Sequence, residues 1–324
     1  MEKIRFIGKH IKKDGMDYFS YSGSGFYFKV RPTSSISRIN ITFIGEGNDY
    51  DYQFIGIYVN DKFLRKERLI KGINVVNVTL KQNDDAIIKI IKLNEVYLSS
   101  IYLKDIKLEN ASMIDLDNDN HQTIGFFGDS ITCGYGLDEF HGEAFSIDSE
   151  DFSKAYSYLT ASELNMDYIV VARSGISLAI KIYCETLFNQ IYDTVDMYLK
   201  GGFDKKLDFA VINLGTNDSQ GLDLLSKEYV GIFLNKYVDE YKVLVDRIIK
   251  DNPNVKIILC YGLMPIREDI VKAIESIREY IKENYKNKCE IVRFIPNEDG
   301  ANHHPYFTAH KKASEQLIKT IKNM

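Results

Sequence analysis

The feature that most constrains this chain is the stretch from residue 124 to residue 136, Ile-Gly-Phe-Phe-Gly-Asp-Ser-Ile-Thr-Cys-Gly-Tyr-Gly. A short apolar run of this kind reads as a buried strand over residues 124–127. It breaks off into a turn of small residues around one serine, Ser130. Gly128, Gly134 and Gly136 let the backbone turn sharply and leave room beside that hydroxyl for a ligand. A strand end followed by such a turn holds a nucleophile at the carboxyl edge of a sheet, and an ordinary strand-to-helix turn with a capping serine has the same pattern. The stretch is not a Gly-x-Ser-x-Gly elbow, because Thr132 stands where the second glycine would be required.

At 324 residues, with 45% hydrophobic and 12% aromatic residues, the chain is long and apolar enough for about two domains, each with its own core. Its net charge of -5 comes from basic and acidic residues mixed along the whole length, so nucleic acid and anionic membrane are not expected as partners. The first ten residues lack an apolar leader core, and nowhere do 18 apolar residues run together. The expectation is therefore a cytoplasmic protein, secreted only if a leader has been removed. Cys133, Cys184, Cys260 and Cys289 are scattered, with no Cys-x-x-Cys and no histidine at zinc-ligand spacing. Reduced thiols are expected, and neither a metal nor a cofactor.

The first hundred residues read as β throughout. Phe26, Phe28 and Val30 alternate with polar positions, as do Ile39, Ile41 and Phe43, then Ile55, Ile57 and Val59, and then Val76, Val78 and Leu80. Turn clusters such as 22–25 and 60–62 separate them, and short strands at this spacing predict a β-sandwich or jelly roll. Residues 110–122 are polar and aperiodic, which predicts a surface connection and places a domain boundary near 112, giving domains 1–112 and 113–324. Beyond it, strands expected at 124–127, 168–172, 209–214, 256–261 and 290–294 alternate with helical periods. The clearest of these are Val230, Phe233, Tyr237, Tyr241, Leu244, Ile248 and the final Ala313, Leu317, Ile321. Alternating elements with right-handed crossovers predict a doubly wound five-stranded parallel sheet, with ligands at the carboxyl ends of its strands.

A hydroxyl nucleophile needs a base and donors for the oxyanion. The second strand is followed by Ala-Arg-Ser-Gly-Ile-Ser, where Gly175 offers an unobstructed backbone N–H. After the third comes Gly-Thr-Asn-Asp, where Asn217 offers a side-chain amide, and after the last comes Asn302-His303-His304-Pro305, which brings an imidazole to the same edge. Taken singly, the asparagine and the glycine are ordinary turn formers and the His-Pro an ordinary loop; four such elements in this order on one sheet favour a site. Asp129 and Asp218 read as braces that accept backbone N–H groups rather than as participants in chemistry.

This set resembles the conserved blocks that name the SGNH (GDSL) hydrolases over residues 124–320, and the extended Gly-Asp-Ser-Ile-Thr-Cys-Gly-Tyr-Gly is similar to carbohydrate esterase family 2 in particular. Residues 21–28 also resemble the start of the small jelly-roll domain that precedes the catalytic domain in that family. The resemblance implies Ser130 as nucleophile, His304 as general base, and an oxyanion hole made by Ser130, Gly175 and Asn217. It gives His303 a pocket-shaping place. The aspartate that orients the histidine in most of these enzymes is absent, since those positions are Ala301 and Asn302. A Ser-His dyad is expected instead, with Nδ1–H of His304 held by a backbone carbonyl or by Asn302 Oδ1. The implied substrate is an O-acetylated sugar or oligosaccharide of xylo-, manno- or gluco-type. With no tryptophan in the chain, sugar contacts would fall to Tyr135, Tyr261, His303, Tyr306 or Phe307. The sandwich loops are expected to help form the sugar site, and homo-oligomerisation stays open. Alternatives are a lipase-like or acyltransferase SGNH enzyme on other acyl esters, a non-catalytic glycan-binding protein, and a two-metal phosphoesterase, for which the chain lacks ligands.

Overall fold

The computed structural model describes all residues except 1–2, 48–51, 82, 97, 118–120, 141 and 180–205, so Cys184 lies outside the described residues. Two compact units divide the chain, one running to Asn120 and the other starting at His121.

The first unit is an antiparallel sandwich. One sheet pairs Met16–Phe19, Ser100–Glu109, Ser37–Glu46 and Gly72–Leu80 in that order, and the other pairs Gly25–Pro32, Ala86–Lys92, Gln53–Val59 and Lys62–Leu69. Strands at opposite ends of the segment thus lie side by side, which is jelly-roll winding. The alternating residues read from the sequence all face the core between the sheets, where Phe26, Phe28, Ile39, Ile41, Phe43, Ile55, Ile57, Val76 and Val78 are buried. Lys62–Leu69 was not legible as a strand, because it is an edge strand that leaves its charged residues in or near solvent. The polar stretch 110–122 is not connector throughout. Ala111–Ile114 pairs antiparallel with Gly25–Pro32, because Met113 still packs on the sandwich core.

The second unit is built on five parallel strands, β1 (Thr123–Gly128), β2 (Asp167–Ala172), β3 (Phe209–Asn213), β4 (Lys256–Tyr261) and β5 (Cys289–Arg293), in the order β2-β1-β3-β4-β5. Each agrees with an expected strand to within a residue or two. Strands β1 to β4 are apolar almost throughout and buried on both faces, as a sheet sandwiched between helices requires. Among the described residues the α-helices are α1 (Ser130–Cys133), α2 (Tyr156–Glu163), α3 (Thr216–Asp223), α4 (Lys227–Asp251), α5 (Glu268–Asn284) and α6 (Phe307–Asn323). Helix α2 packs with α6, and α4 with α5. Because the chain first moves one way along the sheet and then reverses, right-handed crossovers put α2 on one face and α4 and α5 on the other. In α4 the buried stripe runs from Tyr237 to Ile249, while Val230 and Phe233, expected on the same stripe, are only half-buried in the first two turns.

Strand β1 lies between β2 and β3, where the strand order reverses, and that is where a doubly wound sheet opens a crevice. Gly128 pairs with Ala172 on one side and Asn213 on the other, so the three chains leave the sheet at one level. Ser130, Gly175 and Asn217 follow within two to four residues.

Candidate active site

Ser130 opens the single turn of α1, directly after its N-cap Asp129, whose Oδ1 accepts the Ile131 N–H at 3.0 Å. The turn is tight enough to demand glycine before it. A Cβ on Gly128 would sit 2.0 Å from Thr132 Oγ1, and that hydroxyl is fixed by Tyr156 Oη at 2.9 Å. Burial pushes the Asp129 carboxyl up to about 7.

The histidine reaches Ser130 from the far end of the chain. His304 Nε2 lies 2.9 Å from Ser130 Oγ, and His304 Nδ1 lies 3.1 Å from the backbone carbonyl of Asn302. With Nδ1 carrying the proton that the carbonyl accepts, Nε2 is the free acceptor facing the hydroxyl. The carbonyl is aimed by unusual backbone, since Asn302 (φ 47) and His303 (φ 60) are consecutive left-handed residues. Each such non-glycine residue costs on the order of 1 kcal/mol, which the surroundings must offset. They do so with hydrogen bonds to the serine block: Ala301 N–H donates to Gly136 O at 2.9 Å, Asn302 N–H to Glu143 O at 3.2 Å and Phe307 N–H to Leu137 O at 3.2 Å. The Asn302 side chain turns the other way, and its Nδ2 donates to Tyr135 Oη at 3.2 Å. Of the two expected ways of holding the imidazole, the main chain does it and Asn302 Oδ1 does not.

Burial pushes the His304 imidazole down to about 4, with the neighbouring His303 adding to the effect. Part of that burial comes from Tyr135, whose ring lies 4.3 Å from the imidazole and is itself stacked on Phe145 at 3.9 Å. The histidine is therefore neutral at pH 7 and able to take a proton.

Gly175 adopts φ 76 in the turn after β2, a left-handed conformation that suits glycine. Among the described residues neither its N–H nor that of Ser130 has a protein acceptor. Asn217, buried in the first turn of α3, donates one amide hydrogen to Ile176 O at 2.8 Å and keeps its second donor available. The next residue, Asp218, accepts the N–H groups of Leu178 at 2.9 Å and Ala179 at 2.7 Å. Asn217 and Asp218 thus clamp the loop that presents Gly175.

The residues expected to touch a sugar separate. Tyr135 stands against the imidazole, His303 is exposed beside it, and Tyr306 is half-buried with its N–H on Asn297 Oδ1 at 2.9 Å. Phe307 begins α6. Tyr261 does not fit: it is 6% exposed at the end of β4, with the Arg293 guanidinium 5.9 Å from its ring centre, so it is a packing residue rather than an open platform. Sequence reasoning missed Phe145 behind Tyr135. Nothing local signals it, because the contact spans ten residues of irregular chain. Among the described residues no three His, Cys, Asp or Glu side chains are grouped to hold a metal ion.

Residues 126–315, more than half of the chain, match the model of the GDSL-like lipase/acylhydrolase family. The cellulase/esterase CelE of Acetivibrio thermocellus is 26% identical over 246 residues, 72% of this chain and 29% of that protein, so the chain spans less than a third of its relative's length. Two solved structures share the fold over 99% of this chain. A family two carbohydrate esterase from Clostridium thermocellum in complex with cellohexaose superposes with TM-score 0.86 at 22% identity over 98% of its own chain. The acetyl xylan esterase Est2A from the rumen bacterium Butyrivibrio proteoclasticus does so with TM-score 0.81 at 18% identity over 95%. A serine on a Gly-Asp-Ser turn, a histidine brought to it from before the last helix and a sequence match that spans both make this chain a member of the GDSL-like lipase/acylhydrolase family.

Proposed function

We propose that this protein is a serine esterase that removes O-acetyl groups from acetylated sugars or oligosaccharides. The observation that carries the chemistry is the 2.9 Å contact between Ser130 Oγ and a neutral His304 whose other nitrogen is held by a main-chain carbonyl. Ser130 Oγ attacks the ester carbonyl carbon while His304 Nε2 takes the hydroxyl proton. The negative charge that grows on the carbonyl oxygen is met by the N–H groups of Ser130 and Gly175 and the second amide hydrogen of Asn217, placed on both sides of β1. Collapse of the tetrahedral intermediate breaks the C–O bond to the sugar, whose oxygen leaves with the proton from His304. Water, deprotonated by the same imidazole, then releases acetate and regenerates Ser130. A main-chain carbonyl in place of a carboxylate fixes the tautomer without supplying a counter-charge to the imidazolium. The sugar substrate is supported by the likeness to CelE and to the carbohydrate esterase folds.

Ser130→Ala and His304→Ala should each lower turnover of p-nitrophenyl acetate by several powers of ten, and the double variant should lose little more, because the two groups act as a unit. Additive losses would refute the dyad. Rates on the acetate against the octanoate, and then on acetylated xylo- and manno-oligosaccharides, test the acyl group and the sugar separately.

A further inference from the structure

Beside the dyad, one aromatic ring is fixed and yet uncovered. Phe140 is 65% exposed, but its ring is stacked on that of Tyr306, with centroids 4.6 Å apart and planes 20° from parallel. Its backbone pairs with Gly300, its carbonyl accepts the Glu143 N–H at 3.2 Å, and the Glu143 carbonyl accepts the Asn302 N–H. The loop that carries Phe140 and the loop that carries His304 are therefore one hydrogen-bonded piece. Scattered exposed apolar side chains are ordinary on a protein surface. This one differs because Tyr306 holds one face of the ring, setting its orientation, and leaves the other face open.

The surroundings narrow what could cover that face. Glu139, Glu143, Asp299 and Asn302 lie on the same two loops and are exposed or half-buried, so these loops are mostly polar and acidic, with Ile295, 64% exposed, the other exposed large apolar side chain on them. A lipid surface would call for a broad apolar patch with basic residues, and a protein partner for a larger apolar centre. A pyranose ring fits better, because it has a flat C–H face that stacks on an aromatic ring and a hydroxyl edge that carboxylates and amides can bond. Tyr306 is two residues from His304, so their Cα atoms are at most about 7.6 Å apart, and an oligosaccharide with its ester at Ser130 can reach the stack.

Resting on the esterase reading above, we propose that the Phe140–Tyr306 stack is a second sugar subsite. It holds a pyranose unit of the same oligosaccharide outside the acetylated one and so gives the enzyme a preference for longer chains.

The test is chain-length dependence. The ratio kcat/KM is measured on acetylated mono-, di- and tetrasaccharides for the unmodified protein and for Phe140→Ala, with Phe140→Trp as the variant that keeps the platform. The unmodified protein should gain with chain length, Phe140→Ala should lose roughly tenfold of that gain, and Phe140→Trp should keep it. Titration of the Ser130→Ala protein with unacetylated xylo- or mannotetraose, with and without Phe140→Ala, should show the same loss in affinity without any turnover. The inference is overturned if the unmodified protein hydrolyses acetylated monosaccharides with no gain for longer chains, or if Phe140→Ala keeps the whole gain. A protein that reacts with a fluorophosphonate at Ser130 but hydrolyses no acetylated sugar of any length would overturn the carbohydrate reading, and the subsite with it.

Discussion

Tyr135→Ala tests how the site keeps its histidine neutral. The Tyr135 ring covers the imidazole at 4.3 Å, and burial is the largest cause holding His304 down to about 4 from the usual 6.5. The neutral form is the base, so kcat/KM should hold from neutral pH downward and fall only as pH drops through about 4. Removing the ring admits water to the imidazole and stabilises its charged form, which moves the acid limb up towards 6.5. At pH 5 a group titrating near 4 is about 90% neutral, and one restored fully to 6.5 is about 3% neutral; the variant should then lose up to roughly thirtyfold at pH 5 relative to its own rate at pH 8. A half-way shift to about 5.3 would leave roughly a threefold loss. The assay is kcat/KM for p-nitrophenyl acetate from pH 3.5 to 8, with circular dichroism at each pH to separate titration from unfolding. An acid limb near 6.5 in the unmodified protein would refute the burial argument, and an unmoved limb in an active Tyr135→Ala would show that the ring has no part in it.

Two further substitutions probe the supports of the site. Asn302→Asp keeps a residue that tolerates the left-handed backbone and places a carboxylate near Tyr135 Oη, so it should raise the acid limb by about one pH unit through charge alone while the rate at pH 8 changes little; an unchanged limb would show that this carboxylate does not reach the imidazolium. Asp218→Asn replaces one of the two oxygens that accept Leu178 N–H and Ala179 N–H with an NH₂ group, which should loosen the Gly175 loop and lower kcat roughly tenfold or more with KM little altered. Equal losses in KM would point to binding rather than to the oxyanion hole, and an unchanged kcat would remove the bracing role.

The sequence by itself determined the elements whose signal is local. Strands β1 to β4 of the parallel sheet are apolar runs of about strand length and β5 is a short half-buried one, so all five could be placed within a residue or two, and with them the loops at their carboxyl ends. The positions of Ser130, Gly175, Asn217 and the histidine pair followed, because a doubly wound sheet gathers those loops at one edge. Alternation likewise marked the two-faced strands of the sandwich. It could not mark Lys62–Leu69, where the strand lies at a sheet edge, nor Ala111–Ile114, where the pairing partner is some eighty residues away.

Only the tertiary structure decided which group holds the imidazole. That depends on two consecutive left-handed residues, Asn302 and His303, whose conformation is set by hydrogen bonds from residues 301 and 302 to the serine block more than 150 positions earlier. The depressed pKa of His304, the burial of Tyr261 and the open face of Phe140 are of the same kind. Each is a matter of how much water reaches a ring, and solvent exposure is a property of what packs around a side chain, to which its sequence neighbours contribute little.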